Sequence, residues 1–399
     1  MTSIIPGPKG RWLIGDTLTY EQDRIGWLHG AWDTYGDIVQ LAPKVVVIYH
    51  PAEIQRVLAS PDAVPGHAAM TGGRSLTSTL PQWTQTRRAL WHELDRSFVA
   101  AHLGRIQAAF SARVQSSSGT SKEVLGFATR MCAEAAVDLC AGADGVDDEL
   151  ADATLALQQQ LVQGSVVAEP RVRWLPRPVA RRTARASAEL TRKLAAVLQR
   201  RRAAGYSGPP RDLADAIELP VTDAAETLRA VLMASPGSPG AAVAWAMLRL
   251  AERPAVDADA YAKEVLRMHP PTWLLVRHVL RPMAVAGHIL SPGTEVLIPV
   301  YHVHRDPRWW QRPGEFDPAR WSRPVPHSPH AYLAFGSGPR LCPGGHLAMA
   351  QLAAAIHAFA GYKLSLTGGT PEPSALLVPA GLSGSWSASQ WSASNSGSR

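Results

Sequence analysis

The residue best placed for chemistry is Cys342, in the stretch Phe335-Gly336-Ser337-Gly338-Pro339-Arg340-Leu341-Cys342-Pro343-Gly344-Gly345-His346. Glycine and proline on both sides of a thiol make a tight backbone loop rather than a strand or helix. An Ala-rich apolar pattern at helical spacing follows, from Leu347 to about Ala360. The thiol is therefore presented by a loop ahead of a helix N-terminus, where backbone N–H groups and the helix dipole favour a thiolate. A thiolate held in this way suits a soft metal or nucleophilic attack. The other two cysteines, Cys132 and Cys140, complete no CxxC or other metal spacing, and three thiols do not suggest a disulfide framework. Burial in a core is the common fate of such a thiol, so the rest of the chain has to decide what Cys342 does.

Three other places carry chemistry-bearing residues at meaningful spacing. Trp83 and Arg87 lie four apart on an expected helix, so an indole N–H and a guanidinium share one face and can grip a carboxylate. Glu264 and Arg267 lie three apart on another expected helix and can pair. The third place is a long apolar helix expected from an N-cap at Asp223, with Glu226 three residues on, to Arg253. Its middle reads Ala234-Ser235-Pro236-Gly237-Ser238-Pro239-Gly240. Proline in a helix interior costs on the order of 3 kcal/mol. Pro236 cannot donate to the carbonyl of Leu232, nor Pro239 to that of Ser235. Either two helices meet at a loop here, or one helix is opened at its centre to admit a small ligand.

The elements that must position these residues are mainly helical. Residues 1–16 form an irregular Pro/Gly-rich lead-in. A helix is expected over Arg24–Tyr35, a hairpin over Asp37–Leu41 and Val45–Tyr49, and a helix from Pro51. Residues 101–163 and 180–202 read as helices, and Tyr261–Met268 as another. Strands are expected over Leu274–Leu280, Met283–Ala286 and Thr294–Pro299. Residues 384–399 are Ser-rich and read as a disordered tail. No linker or internal repeat divides the chain, so a single domain over residues 1–399 is expected: mainly α, with small β-sheets.

Composition narrows the function classes. The formal net charge of the 399 residues is +7, but no Lys/Arg run is interleaved with aromatics, so nucleic acid is not an expected partner. No apolar run has bilayer-spanning length and no signal pattern opens the chain, so no membrane anchor and a cytoplasmic location are expected.

The spacing Phe-x-x-Gly-x-Arg-x-Cys-x-Gly, filled here by Phe335, Gly338, Arg340, Cys342 and Gly344, resembles the haem-binding loop of the cytochrome P450 family. Other family-like pieces follow the same order along most of the chain. Glu264 and Arg267 resemble the Glu-x-x-Arg motif, and Arg320 in Phe316-Asp317-Pro318-Ala319-Arg320-Trp321 resembles its third partner in a buried triad. Trp83 and Arg87 look like the propionate-binding helix. Arg277 is similar to the basic residue that meets a propionate from a strand. The resemblance implies the P450 fold, with haem b (iron protoporphyrin IX) between the long central helix and the helix after the Cys loop, and Cys342 as axial ligand. It also implies electrons from an acidic ferredoxin or flavodoxin.

The departure from the family pattern lies in the broken helix. Where the family usually places an acid and then a threonine, this chain has Gly237 and Ser238. The alcohol survives as a serine and the carboxylate of the proton relay is absent. The expected pocket walls, residues 76–80, 166–174, 233–241, 273–276 and 376–382, are largely apolar. A lipophilic small molecule is therefore the expected substrate, of the terpenoid or polyketide-like kind met in natural-product biosynthesis. Three functions follow: a haem-thiolate monooxygenase; a haem-thiolate enzyme of another reaction type, whether peroxide-driven, rearranging or coupling; and a catalytically silent haem-binding or partner-recruiting protein.

Overall fold

The computed structural model describes residues 4–10, 14–65, 94, 96–142, 148–166, 178–322 and 330–389. Its contacts divide the chain into two compact units, each built from two separate segments: Met1–Gly66 with Lys263–Cys342, and His67–Ala262 with Pro343–Arg399.

The first unit is organised by a five-stranded sheet. Its strands are β1 (Ile38–Ala42), β2 (Val45–Ile48), β3 (Ala63–Pro65), β4 (Leu275–Val279) and β5 (Glu295–Ile298), in the order β1-β2-β5-β4-β3. β1 and β2 form the expected hairpin, with an irregularity between Gln40 and Ala42. β2 runs parallel to β5, whereas β4 is antiparallel to both β5 and β3. Val, Ile and Leu dominate these strands because a half-buried pleated surface favours branched side chains. One face closes a core of Ile38, Val46, Ile48, Val279, Val296 and Ile298. The helices α1 (Arg24–Tyr35) and α2 (Pro51–Ala59) belong to this unit. α2 starts with proline at its first position, where the missing N–H removes no hydrogen bond.

The second unit is a helical assembly: α3 (Arg96–Ser116), α4 (Val124–Ala141), α5 (Asp148–Val166), α6 (Pro178–Ala204), α7 (Val221–Ala234), α8 (Gly237–Glu252) and α10 (Gly345–Phe359). The helix α9 (Ala258–Met268) begins in the second unit and ends in the first. α10 packs against α3 and α8, and α8 against α4. α8 carries a run of buried residues, Ala241 to Met247, that covers its whole circumference. A helix apolar all round has to be a core helix or a membrane span. Read end to end, Val221–Glu252 does have the length and composition to cross a membrane, which the sequence reading had not expected of any run, but 72% of that apolar window is buried inside the protein. The approach to α4 is close: a Cβ on Gly240 would lie 2.7 Å from the Thr129 Cα and 2.9 Å from its nitrogen.

Two boundaries differ from expectation. The helix expected to be capped by Asp223 starts earlier, at Val221 after Pro220, and Asp223 lies in its first turn. Pro220 provides the extended entry on its own, with no side-chain cap. Residues 384–388, expected to belong to a disordered tail, form most of a strand instead. This strand, β7 (Ser383–Ala388), pairs antiparallel with β6 (Tyr362–Thr367), Trp386 facing Leu364. The reason is Trp386, which is 1% exposed, packs against Phe127 and Phe359, and donates its indole N–H to the Val114 carbonyl at 2.9 Å. One buried indole outweighs the polar serines around it. Residues 390–399 of that segment lie outside the described residues.

Candidate functional site

In the first unit the loop that carries Cys342 is braced by its own backbone. Gly336 and Gly338 take φ values of +75° and +72°, the left-handed region open to glycine. Gly338 also lies against the end of α2: an added Cβ would be 3.1 Å from the Leu58 carbonyl oxygen and 3.3 Å from the Ala59 Cα. A short 3₁₀ turn over Gly338–Arg340 follows, closed by the Leu341 N–H on the Gly338 carbonyl at 3.0 Å. The Cys342 N–H donates to the Phe335 carbonyl at 2.9 Å, which ties the two ends of the motif together. The Ser337 hydroxyl donates to Gln55 on α2. Cys342 itself is exposed and precedes α10, of which Gly344 is the N-cap.

The two arginines assigned to this loop and its neighbouring strand lie along one strand. Arg340 donates to the Ala63 carbonyl at 2.5 Å and more weakly to that of Ser60, at 3.4 Å. Partial burial lowers the pKa of its guanidinium from the ordinary arginine value. Arg277 on β4 faces Pro65 of β3 across the ladder, is 6% exposed, and donates to the Val276 carbonyl at 2.8 Å. Both cations therefore border β3. Trp83 and Arg87, the other two residues assigned to anion binding, lie outside the described residues.

Behind the loop stands a buried ion-pair network. Glu264 and Arg267 are both fully buried, on α9. Arg267 sends its Nε and one Nη to the two carboxylate oxygens at 3.0 and 2.8 Å. Arg320 reaches Glu264 at 3.4 Å, the longest link of the triad. Glu264 also accepts from the Asp317 backbone N–H at 2.9 Å and from the Trp321 indole at 3.0 Å. A buried carboxylate demands this many donors, since desolvation otherwise costs several kcal/mol.

His304 is a residue whose role sequence reasoning missed. Its Nδ1 donates to the Arg267 carbonyl at 3.1 Å, and its Nε2 accepts the Leu333 N–H at 2.7 Å. The Leu333 carbonyl in turn accepts from Gly336 at 2.9 Å. His304 thus links the triad to the first residues of the Cys loop. Burial holds its pKa down at about 3, and the Arg267 charge adds to this; neutrality is required, because a protonated Nε2 would confront the Leu333 N–H. Only the order His304-Arg305-Asp306-Pro307 was visible in the sequence, and nothing local marks the histidine.

In the second unit the interrupted helix is opened rather than split by a loop. Ser235 (φ −80°, ψ −30°) and Pro236 (φ −79°, ψ −47°), between α7 and α8, keep helical dihedrals. The Ser235 hydroxyl turns back to the Val231 carbonyl at 2.7 Å. The Gly240 N–H reaches the Pro236 carbonyl at 2.9 Å, restarting the ladder. Ser238 is half-buried, and its hydroxyl bonds to none of the described residues. Gly237 is buried against Gln158 of α5 and Leu376.

The donor set fits an iron porphyrin. Among the described residues no group of three His, Cys, Asp or Glu side chains could hold a bare metal ion. A metal that brings most of its own ligands, as a macrocycle does, suits the single thiol of Cys342. Cys132 and Cys140 are fully buried on α4, where desolvation pushes their thiols up, so neither competes. Buried or half-buried arginines in the same unit as the exposed thiol suit a group that carries carboxylates.

Comparison with known proteins agrees with this chemistry. The cytochrome P450 family model matches residues 258–375, the segment that holds the triad and the Cys loop. The putative cytochrome P450 132 of Mycobacterium tuberculosis is 38% identical over 94 residues, 23% of this chain and 20% of the relative. Cyclooctatin synthase of Streptomyces melanosporofaciens is 40% identical over 100 residues, 25% of this chain and 22% of the relative. The matched stretch thus spans about a fifth of the length of these curated relatives. The crystal structure of the cytochrome P450DA haem domain superimposes with a TM-score of 0.79 at 18% identity, covering 97% of this chain and 98% of that one, a likeness of fold. The Cys loop and the buried Glu264–Arg267 pair both lie inside the matched segment, so over residues 258–375 this chain is similar to the cytochrome P450 family, and its fold is like that of the P450 haem domain.

Proposed function

We propose that the protein is a haem-thiolate monooxygenase that oxidises a lipophilic small molecule. The observation that carries this reading is the exposed thiol of Cys342 on a loop held by two left-handed glycines and by the Cys342–Phe335 backbone bond. When bound, the haem, of the b type, supplies oxygen activation, with thiolate ligation favouring O–O cleavage. The chain's own residues do the rest. Cys342 would hold the iron through its thiolate, and Phe335 and Gly344 would shape the loop around it. Arg277 and Arg340, with Trp83 and Arg87, neutralise the propionates by charge-assisted hydrogen bonds. Glu264, Arg267 and Arg320 keep the loop in place through His304. Ser238 holds a proton-carrying hydroxyl at the helix opening, beside Gly237. The reduced, carbon-monoxide-bound spectrum tests the premise. The native protein is expected to give the red-shifted Soret band of thiolate ligation, and Cys342→His to lose it while still binding haem. A native protein without that band sinks the proposal.

Electrons are expected from a ferredoxin or flavodoxin, in the cytoplasm, and the substrate class is that of natural products such as terpenoids. The name of cyclooctatin synthase among the relatives supports that class. A second reading is favoured by one feature: residue 237 brings no carboxylate to the helix opening, so the oxidant is peroxide or the reaction is not an ordinary hydroxylation. Product formed with ferredoxin and its reductase but not with peroxide alone rules this second reading out.

A further inference from the structure

The space where a side chain at residue 237 would begin is already filled. A Cβ built on Gly237 would fall on the amide nitrogen of Gln158, and would lie 3.0 Å from that residue's Cδ and 3.3 Å from the Leu376 Cδ1. Gln158 comes from α5, a different helix of the same unit. It is half-buried and makes no hydrogen bond to the described residues. It is therefore not a structural tie between α5 and α8. Its amide is not among the buried, unpartnered polar atoms, so solvent reaches it and a water can bond there.

The neighbouring groups can take up the same water. The Ser238 hydroxyl, next along the chain, is also uncommitted. Pro236 and Pro239 have no N–H to offer the carbonyls of Leu232 and Ser235. A hydroxyl and two carbonyls thus fall within about two turns of one helix, and the Gln158 amide abuts that stretch at Gly237. A buried water typically takes about three hydrogen bonds, and this set can supply them.

We propose that Gln158 is a positioning residue that replaces the missing side chain of residue 237, and that its amide and the Ser238 hydroxyl hold an ordered water at the helix opening. Gly237 is glycine because Gln158 occupies its side-chain volume. The amide does not release a proton near neutral pH. Its part is to orient the water, and the water and the Ser238 hydroxyl carry the proton. The importance of that water for turnover rests on the monooxygenase reading; its presence does not.

The test uses the full-length protein as purified, with three variants: Gln158→Leu, which keeps the bulk and removes the polarity; Gly237→Ala, whose methyl displaces the amide; and the double variant. Thermal unfolding first checks that each is folded. High-resolution crystal structures should show a water within hydrogen-bonding distance of the Gln158 amide and the Ser238 hydroxyl in the native protein, and none in either single variant. A native map without that water, or variants that keep it, overturns the proposal. The second readout is the fraction of reducing equivalents released as hydrogen peroxide, with a surrogate ferredoxin and reductase. Either single variant should raise it about five- to tenfold, the worth of one lost hydrogen bond to the water. The double variant should raise it no further, because both changes remove one and the same amide. Additive increases would refute the claim that the two residues act as a unit. The carbon-monoxide spectrum of the same native sample reports the monooxygenase reading separately. A missing thiolate band rejects that reading, and the crystallographic water still decides the role of Gln158.

Discussion

Exchanging Arg267 for lysine retains the charge and tests the geometry. All five N–H hydrogens of the Arg267 guanidinium are used. Two go to the oxygens of Glu264, one each to the carbonyls of His304 and Pro313 at 2.8 Å, and one to that of Glu315 at 2.9 Å. A lysine ammonium has three hydrogens on a single point and no fork. At least two of the five acceptors lose their donor, in a site with no exposure to water. Each buried acceptor left unsatisfied costs about 1–3 kcal/mol, so Arg267→Lys should destabilise the protein by about 4 kcal/mol. With about 2.1 cal/mol/K of unfolding entropy per residue, a chain of this length loses about 5 °C in its melting midpoint. Arg267→Met, which also leaves the Glu264 charge without its main partner, should cost about 3–5 kcal/mol beyond that. Circular dichroism and tryptophan fluorescence melts of purified proteins measure this. If Arg267→Lys melts within about 1 °C of the native protein, the geometry of the fork is not what holds the site. The same variant should loosen the Cys342 loop through His304, which proteolytic nicking between residues 330 and 345 would report.

Other outcomes follow from the same packing. Gly240→Ala should lower stability by about 2 kcal/mol, since its methyl meets the backbone of Thr129 and the helices must part, while Gly237→Ala, which meets the movable ends of the Gln158 and Leu376 side chains and no backbone, should be near neutral in the same melts. Gly338→Ala should cost about 1–3 kcal/mol and reduce haem retention, because the residue is left-handed and lies on α2; full retention would argue that the loop tolerates another course. Gln351 on α10 is fully buried with neither amide atom bonded to a described residue, so Gln351→Leu should raise the melting midpoint by about 1–2 °C; a fall would reveal an ordered water there. Burial lowers the pKa values of His302 and His304 from 6.5 to about 3. The folded state refuses protons that the unfolded state accepts, so stability is constant above pH 6.5 and falls below it, by about 1.4 kcal/mol per pH unit for each histidine down to about pH 3. Denaturant titrations at pH 7.5 and 5.5 measure the slope, and His302→Gln should roughly halve it.

What could be read from local order was read because local rules are strict. Gly336 and Gly338 sit beside a thiol because glycine takes the left-handed turn that presents Cys342 without steric cost. Glu264 and Arg267 meet because residues three apart on a helix share a face. Pro236 breaks the ladder where it stands, since a missing N–H acts at a known carbonyl. The helix over Arg24–Tyr35 and the hairpin after it follow from periodicity in the same way.

The remainder depended on contacts between distant parts of the chain, which no spacing encodes. Trp386 turned a Ser-rich tail into a strand because it found Phe127, Phe359 and the Val114 carbonyl. His304 became the link between Arg267 and the Cys loop because folding put its two ring nitrogens between a carbonyl and an N–H from separate segments. Gly237 looked in the sequence like the loss of a carboxylate; in the folded unit its empty side-chain position is taken by Gln158 from another helix. The sequence alone determined which residues could carry chemistry and how each is presented by its own turn or helix, because steric and hydrogen-bond rules act over a few residues. Only the tertiary structure decided what each of them touches, because burial is set by whichever segment of the chain arrives to fill the space.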